Sequence, residues 1–183
     1  AFKEQDYELA QDIIHGDKQI NDVERSIEAK CLSLILKQQP VASDLRDVST
    51  ALKVVTDLER IGDQSADIAE LILEMKEMDS FLMIGHIQDM AKIATKMVKE
   101  ALDAFHQHDL NHALEVKKMD IKMDELFDQV KKDIIQMIKE SNDKGDLTIN
   151  FLMIAKYFER IGDHAVNIAE WVQFSITGEH KRL

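Results

Sequence analysis

The apolar residues of this chain recur every three to four positions over long stretches, the spacing of one buried face on an α-helix. Val55, Leu58, Ile61, Ala69 and Ile72 are one such run. Two short corners interrupt the pattern, KQQPVASD near residue 40 and SNDKGD near residue 143. The periodicity predicts helices over about 6–38 and 42–78, then over about 110–140 and 146–175, with a further one over about 81–106. Asp6 and Asp109 stand where N-caps belong, Asp44 and Asp146 at or near the next starts, and Pro40 suits the first turn of its helix. The expected class is therefore all-α.

The chain repeats itself. ERIGD occurs at 59–63 and again at 159–163, and Ile68-Ala69-Glu70 matches Ile168-Ala169-Glu170 at the same offset. Upstream of the corners the offset grows by three, so that Asp6 lies over Asp109 and Asp17 over Asp120. Only the second copy has a helix in front of its hairpin. A matching helix ahead of residue 1 is expected, and with it two tandem three-helix bundles: an N-terminal repeat over 1–79 lacking its first helix, and a C-terminal repeat over 80–183. No flexible linker separates them, only EMKEMDSFLMIG, so the bundles should share an interface or a continuous backbone joint.

Composition sharpens this picture. One proline and six glycines in 183 residues leave long unbroken helices, and nine methionines suit aliphatic packing. The net charge of −12 disfavours nucleic acid, which is held by clustered Lys and Arg, and disfavours an anionic membrane surface. Cations and basic protein surfaces are the natural partners. The single Cys31, in the apolar run CLSLIL, cannot form an internal disulfide and reads as a buried thiol in a reducing compartment.

The chemistry lies in the carboxylates. Residues four apart differ by about 40° around a helix, so Glu59, Asp63 and Asp67 form one stripe bordering the core face. Glu159, Asp163 and Asn167 repeat it. Pairing across the first corner sets Asp17 level with residue 62 and Asn21 near residue 58, opposite Glu59 and Asp63. In the second copy Asp120 and Asp124 face Glu159 and Asp163. Four oxygen-bearing side chains converge in each bundle. Carboxylates so close repel unless a cation neutralises them. Oxygen-only sets suit hard ions such as Mg²⁺, Mn²⁺, Ca²⁺ or Fe³⁺; the bland alternative is a solvated acidic face partly paired by Arg60 and Arg160. Gly62 and Gly162 are best read as points of close helix packing. His106, His108 and His112 straddle a helix start and read as a solvated loop, and His164 as a neighbour of a site at best. No catalytic constellation is evident.

HGDKQIN, the corner QPVASDLR and the two ERIGD segments with their DIAE and NIAE continuations resemble the PhoU family, accessory proteins of phosphate transport, over essentially the whole chain. That resemblance implies a cytoplasmic regulator and not an enzyme. It implies action with a phosphate ABC transporter ATPase subunit and a membrane sensor histidine kinase in repressing the phosphate-starvation response, and a homodimer. Some members bind metal through such acidic motifs. Carried over, the metal residues are Asp17, Glu59 and Asp63 in one bundle, with Asn21 in place of a carboxylate, and Asp120, Asp124, Glu159 and Asp163 in the other. The implied cofactor is a divalent or trivalent ion: iron, manganese, magnesium or zinc. A metal-dependent hydrolase or phosphatase and a metal-storage bundle are the alternatives.

Overall fold

A computed structural model describes residues 5–77, 85–140 and 145–179. Five α-helices account for nearly all of them: α1 (Tyr7–Gln38), α2 (Ser43–Glu74, prolonged by a 3-10 turn, Met75–Glu77), α3 (Gly85–Gln107), α4 (Leu110–Glu140) and α5 (Gly145–Thr177). Their ends follow from local chemistry. Leu9 N–H donates to the Asp6 carboxylate at 2.9 Å and Asn111 N–H to that of Asp109 at 2.7 Å, so both aspartates satisfy N–H groups that the first helical turn leaves unpaired. Asp44 and Asp146 sit in the first turns of α2 and α5, where their charge suits the helix dipole. Pro40 departs from expectation. It lies in the connector and not in the first turn of α2, because Gln39 and Ala42 both take left-handed φ angles of 46° and delay the helix to Ser43. The expected repeat boundary at 79/80 lies outside the described residues.

Helices α3, α4 and α5 pack on one another, α1 packs on α2, and α2 lies along α5. The core runs through Met90, Met97, Met123, Val130, Phe151, Ile154 and Ile168, each shielded from solvent. Helix α4 buries six residues of its 31 and α1 only two, Ala10 and Cys31, of its 32. That difference shows which repeat is closed by a third helix among the described residues.

The joint between the repeats is the α2–α5 seam, and it runs antiparallel. Thr50 donates to the Trp171 carbonyl at 3.4 Å, and the Lys53 ammonium lies 5.7 Å from the Trp171 ring centroid. Further along, the Asp57 carboxylate contacts His164 Nδ1 at 2.8 Å and accepts from Asn167 Nδ2 at 3.2 Å. At the far end Tyr157 donates to Asp67. His164 therefore belongs to the seam.

Two imidazole–carboxylate contacts clip α3 to α4. His86 Nδ1 lies 2.6 Å from Asp133 near one end of the pair, and His112 Nδ1 lies 2.6 Å from Glu100 near the other. His112 is thus half-buried and bonded, not loose in a loop as its sequence neighbourhood indicated. Its hydrogen bond to Glu100 raises its pKa above the ordinary histidine value. A raised folded-state pKa stabilises the fold fully below the unfolded value of about 6.5 and loses that contribution as pH rises through the folded value. The melting temperature of His112→Ala should therefore fall further below wild type at pH 5.5 than at pH 8.5; equal gaps at both would refute the clip.

Candidate metal centre: two acidic strips

In the first repeat Asp17 and Asn21, one turn apart on α1, are tied together by Asn21 Nδ2 donating to Asp17 Oδ2 at 3.0 Å. Their other oxygens, Asp17 Oδ1 and Asn21 Oδ1, are buried without a hydrogen-bond donor. On α2 the Arg60 guanidinium spans Glu59 at 3.4 Å and Asp63 at 3.1 Å. Glu59 nevertheless has a pKa raised by burial first, then by Asp63, with smaller contributions from Glu24 and Asp17. Asp67 is likewise raised by burial and by Asp63 and Asp17, against the lowering effect of Arg160 and the Tyr157 hydroxyl from the other repeat. The α1 and α2 carboxylates therefore share one field, as helical pairing predicted, and Glu24 belongs to it as well.

The second strip is more frustrated. Burial, then Asp124, Asp163 and Glu159 in that order, push the half-buried Asp120 carboxyl up to about 6. Asp163, at the solvent edge, is also raised, by desolvation and Glu159 before Asp124. Lys156 forms an ion pair with Glu159 and relieves only part of the repulsion. The structure thus brings Asp120, Asp124, Glu159 and Asp163 together.

Each strip is backed by a glycine. A Cβ on Gly62 would stand 3.0 Å from Ile20 Cδ1 and 3.7 Å from Asp17 Oδ1; one on Gly162 would stand 3.3 Å from Met97 Cε and 3.5 Å from Met123 Cγ. Both glycines let neighbouring helices close in, and Gly62 sits level with Asp17, the register inferred from the corner. Because the Met97 terminus can shift, Gly162→Ala should gain most of the helix preference of alanine, about 1 kcal/mol, less the strain on Met97. Chemical denaturation should place the net change within about 1 kcal/mol of wild type.

Hard-cation chemistry fits these donors. They are carboxylate and amide oxygens, two are buried without partners, and the second strip holds more negative charge than its lysine offsets. Among the described residues, however, no three His, Cys, Asp or Glu side chains are gathered as a set that could hold one ion. Sequence reasoning missed Asp57, Glu24 and Tyr157. Glu24 lies one turn from Asn21 and could have been found by helical spacing, whereas the roles of Asp57 and Tyr157 depend on how the repeats dock.

These strips, written once in each of two similar helical hairpins, can be set beside known proteins. The PhoU domain model matches residues 1–72 and 87–172. A "phosphate-specific transport system accessory protein PhoU homolog" of Clostridium acetobutylicum is 37% identical over 184 residues, covering 100% of this chain and 84% of that protein. A Thermotoga maritima homolog of the same description is 34% identical, covering 95% of this chain and 75% of that protein. The crystal structure of "the phosphate transport system regulatory protein PhoU from Streptococcus pneumoniae" superposes with a TM-score of 0.91 at 32% identity, covering 100% of this chain and 86% of that one. PhoU from Pseudomonas aeruginosa gives the same TM-score at 34% identity, covering 96% and 85%. The named relatives are accessory and regulatory proteins, in keeping with a chain whose sequence shows acidic strips and no catalytic constellation. Family model, full-length sequence relatives and solved folds agree on one assignment: this chain belongs to the PhoU family.

Proposed function

We propose that this protein is a cytoplasmic regulator of phosphate uptake and of phosphate-starvation signalling. In this reading it is an adaptor and not an enzyme, joining the ATPase subunit of a phosphate ABC transporter to a membrane sensor histidine kinase and lowering the starvation response when phosphate is plentiful. It acts as a homodimer. The observation that carries the reading is membership of a family whose relatives are named for an accessory or regulatory role in phosphate transport.

The acidic strips supply a modulating element in this proposal. Asp17, Asn21, Glu59 and Asp63 on one repeat, and Asp120, Asp124, Glu159 and Asp163 on the other, would hold iron, manganese, magnesium or zinc. A bound cation would remove the mutual repulsion of the carboxylates. A strip so neutralised presents a different charge to a basic partner segment. Affinity purification from cells grown in high phosphate, followed by mass spectrometry, should recover the transporter ATPase or the kinase. The double variant Glu59→Gln/Asp63→Asn should keep its circular dichroism spectrum and lose at least tenfold in recovered partner. Full recovery by that variant would remove the strip from the docking mechanism. Reproducible absence of both partners with wild type would remove the adaptor role.

A further inference from the structure

The acidic strip of the second repeat fills only part of the face it lies on. On α4, Asp120, Asp124, Phe127, Lys131 and Ile138 keep to one side of the helix, and on α5 so do Asp163, Glu159, Lys156, Leu152 and Ile149. At about 100° per residue each set spans no more than about 80° of arc. Contacts show that the two stripes line one groove. The Lys156 ammonium pairs with Glu159 and lies 5.6 Å from the Phe127 ring centroid, and the Lys131 ammonium lies 5.0 Å from the same ring. Beyond that ring the groove turns aliphatic. Ile138 is 49% exposed and Ile149 60%, and Ile135, Leu152 and Met153, each within a turn of one of them, are exposed as well. All five stay exposed although α3 packs on both α4 and α5.

Charge separates the two halves of the groove. At the strip, four carboxylates stand against two ammonium groups, those of Lys117 and Lys156, which leaves −2. At the aliphatic end Lys131 is paired with Asp128, and Lys132 and Lys139 are balanced by Glu140 and Asp146, so that end is neutral. The strip repels anionic lipid and nucleic acid. A second copy of the chain brings a further net charge of −12, and aliphatic contact between copies offers nothing cationic to either strip. A metal ion answers the carboxylates and not the aliphatics. A segment with apolar side chains along one half and Lys or Arg along the other answers both. The first repeat lacks this continuation: Glu24, Glu28 and Ser49 occupy the positions of Phe127, Lys131 and Ile149.

We propose that the outer α4–α5 groove binds a helical segment of a protein partner, apolar along one half and basic along the other. Its aliphatic side chains pack on Ile138, Ile149 and Leu152, and its Lys or Arg residues meet Asp120, Asp124, Glu159 and Asp163. From Asp120 to Ile138 the groove runs about 27 Å at about 1.5 Å rise per residue, so the segment is a helix of about 18 residues. This deepens the adaptor reading, on which it rests in taking the occupant to be a protein.

Fluorescence anisotropy with a labelled peptide tests the groove. The probe is an acetylated and amidated peptide of about 18 residues, leucine and alanine through its first half and lysine and alanine through its second. In ~0.1 M salt with chelator, the full chain should bind it about tenfold more tightly than a version with glutamate for lysine, and about tenfold more tightly than one with serine for leucine. Ile138→Ser/Ile149→Ser should weaken binding about fivefold, as should Asp120→Asn/Asp163→Asn, both with unchanged circular dichroism. Leu36→Ser/Val41→Ser, at exposed aliphatics of the first repeat, should leave it unchanged. Equal affinity for the lysine and glutamate peptides overturns the proposal, as does wild-type affinity in either groove variant. A dimer in sedimentation that Ile138→Ser/Ile149→Ser dissociates, without peptide binding, would assign the face to a second copy and overturn it equally. No transporter or kinase enters this assay, so its failure strikes the groove and not the adaptor role, which partner recovery from cells tests.

Discussion

Phe151→Ala is expected to destabilise the protein by about 3–5 kcal/mol, the usual cost of truncating a buried aromatic residue. Phe151 is completely shielded from solvent. The His86–Asp133 contact sets the start of α3 beside the end of α4, next to the start of α5, so the cavity would open at the corner end of the second bundle. Wild-type stability for a domain of this kind is about 5–15 kcal/mol, so the variant would lose a large share of it. At about 2–4 °C per kcal/mol the melting temperature should drop by roughly 10 °C, as read by scanning calorimetry. The shape of the transition is equally informative. The α2–α5 seam joins the repeats through Thr50, Asp57, Asp67 and their partners. If that seam makes the repeats one cooperative unit, the whole peak moves. A split peak, with the first repeat melting at its original temperature, would show that the seam does not couple them.

Asp120→Asn is expected to work in the opposite direction. The Asp120 carboxyl titrates near 6 in the fold against 3.8 as a free group, because burial and Asp124, Asp163 and Glu159 disfavour its charge. Below pH 3.8 both folded and unfolded forms are protonated and the residue costs nothing. As pH rises from there, the unfolded chain ionises first and the fold loses stability, until the full penalty is reached above about pH 7. A rise of that size corresponds to about 3 kcal/mol, and the partial exposure of the group reduces this to about 1–2 kcal/mol. With chelator present, Asp120→Asn should thus melt about 3–6 °C above wild type at about pH 7.5 and no higher than wild type at about pH 4. Millimolar Mn²⁺ should reverse the order at the higher pH, because wild type keeps the oxygen charge that a hard cation requires. A variant that is no more stable than wild type in chelator would show that Asp120 is not frustrated.

Much of this was legible in the residues, for identifiable physical reasons. Helix limits were readable because Asp6 and Asp109 are capping residues and apolar periodicity does not depend on tertiary context. The facing of Asp17 and Glu59 across the hairpin was readable because a hairpin fixes its own register once the corner is located. Pro40 was misplaced because the left-handed angles of Gln39 and Ala42 leave no compositional mark: neither is the glycine or asparagine that usually occupies such a position. The seam was invisible for a different reason. Asp57, Tyr157 and His164 lie on the strip helices at positions whose partners are set only when two helices far apart in sequence dock.

That seam has a symmetry with consequences for the chain's origin. Shifted by one repeat, residue 57 becomes 157, 64 becomes 164 and 67 becomes 167. Asp57 of α2 meets Asn167 of α5, while Tyr157 of α5 meets Asp67 of α2, so this pair of positions is used reciprocally; the Asp57–His164 contact has no such counterpart at Gln64. This reciprocity is the signature of an isologous interface, the kind formed by two identical subunits about a two-fold axis. The present chain has the form of such a homodimer fused end to end. The halves have nonetheless diverged within it: a tyrosine stands where its counterpart has an aspartate, and a histidine where its counterpart has a glutamine.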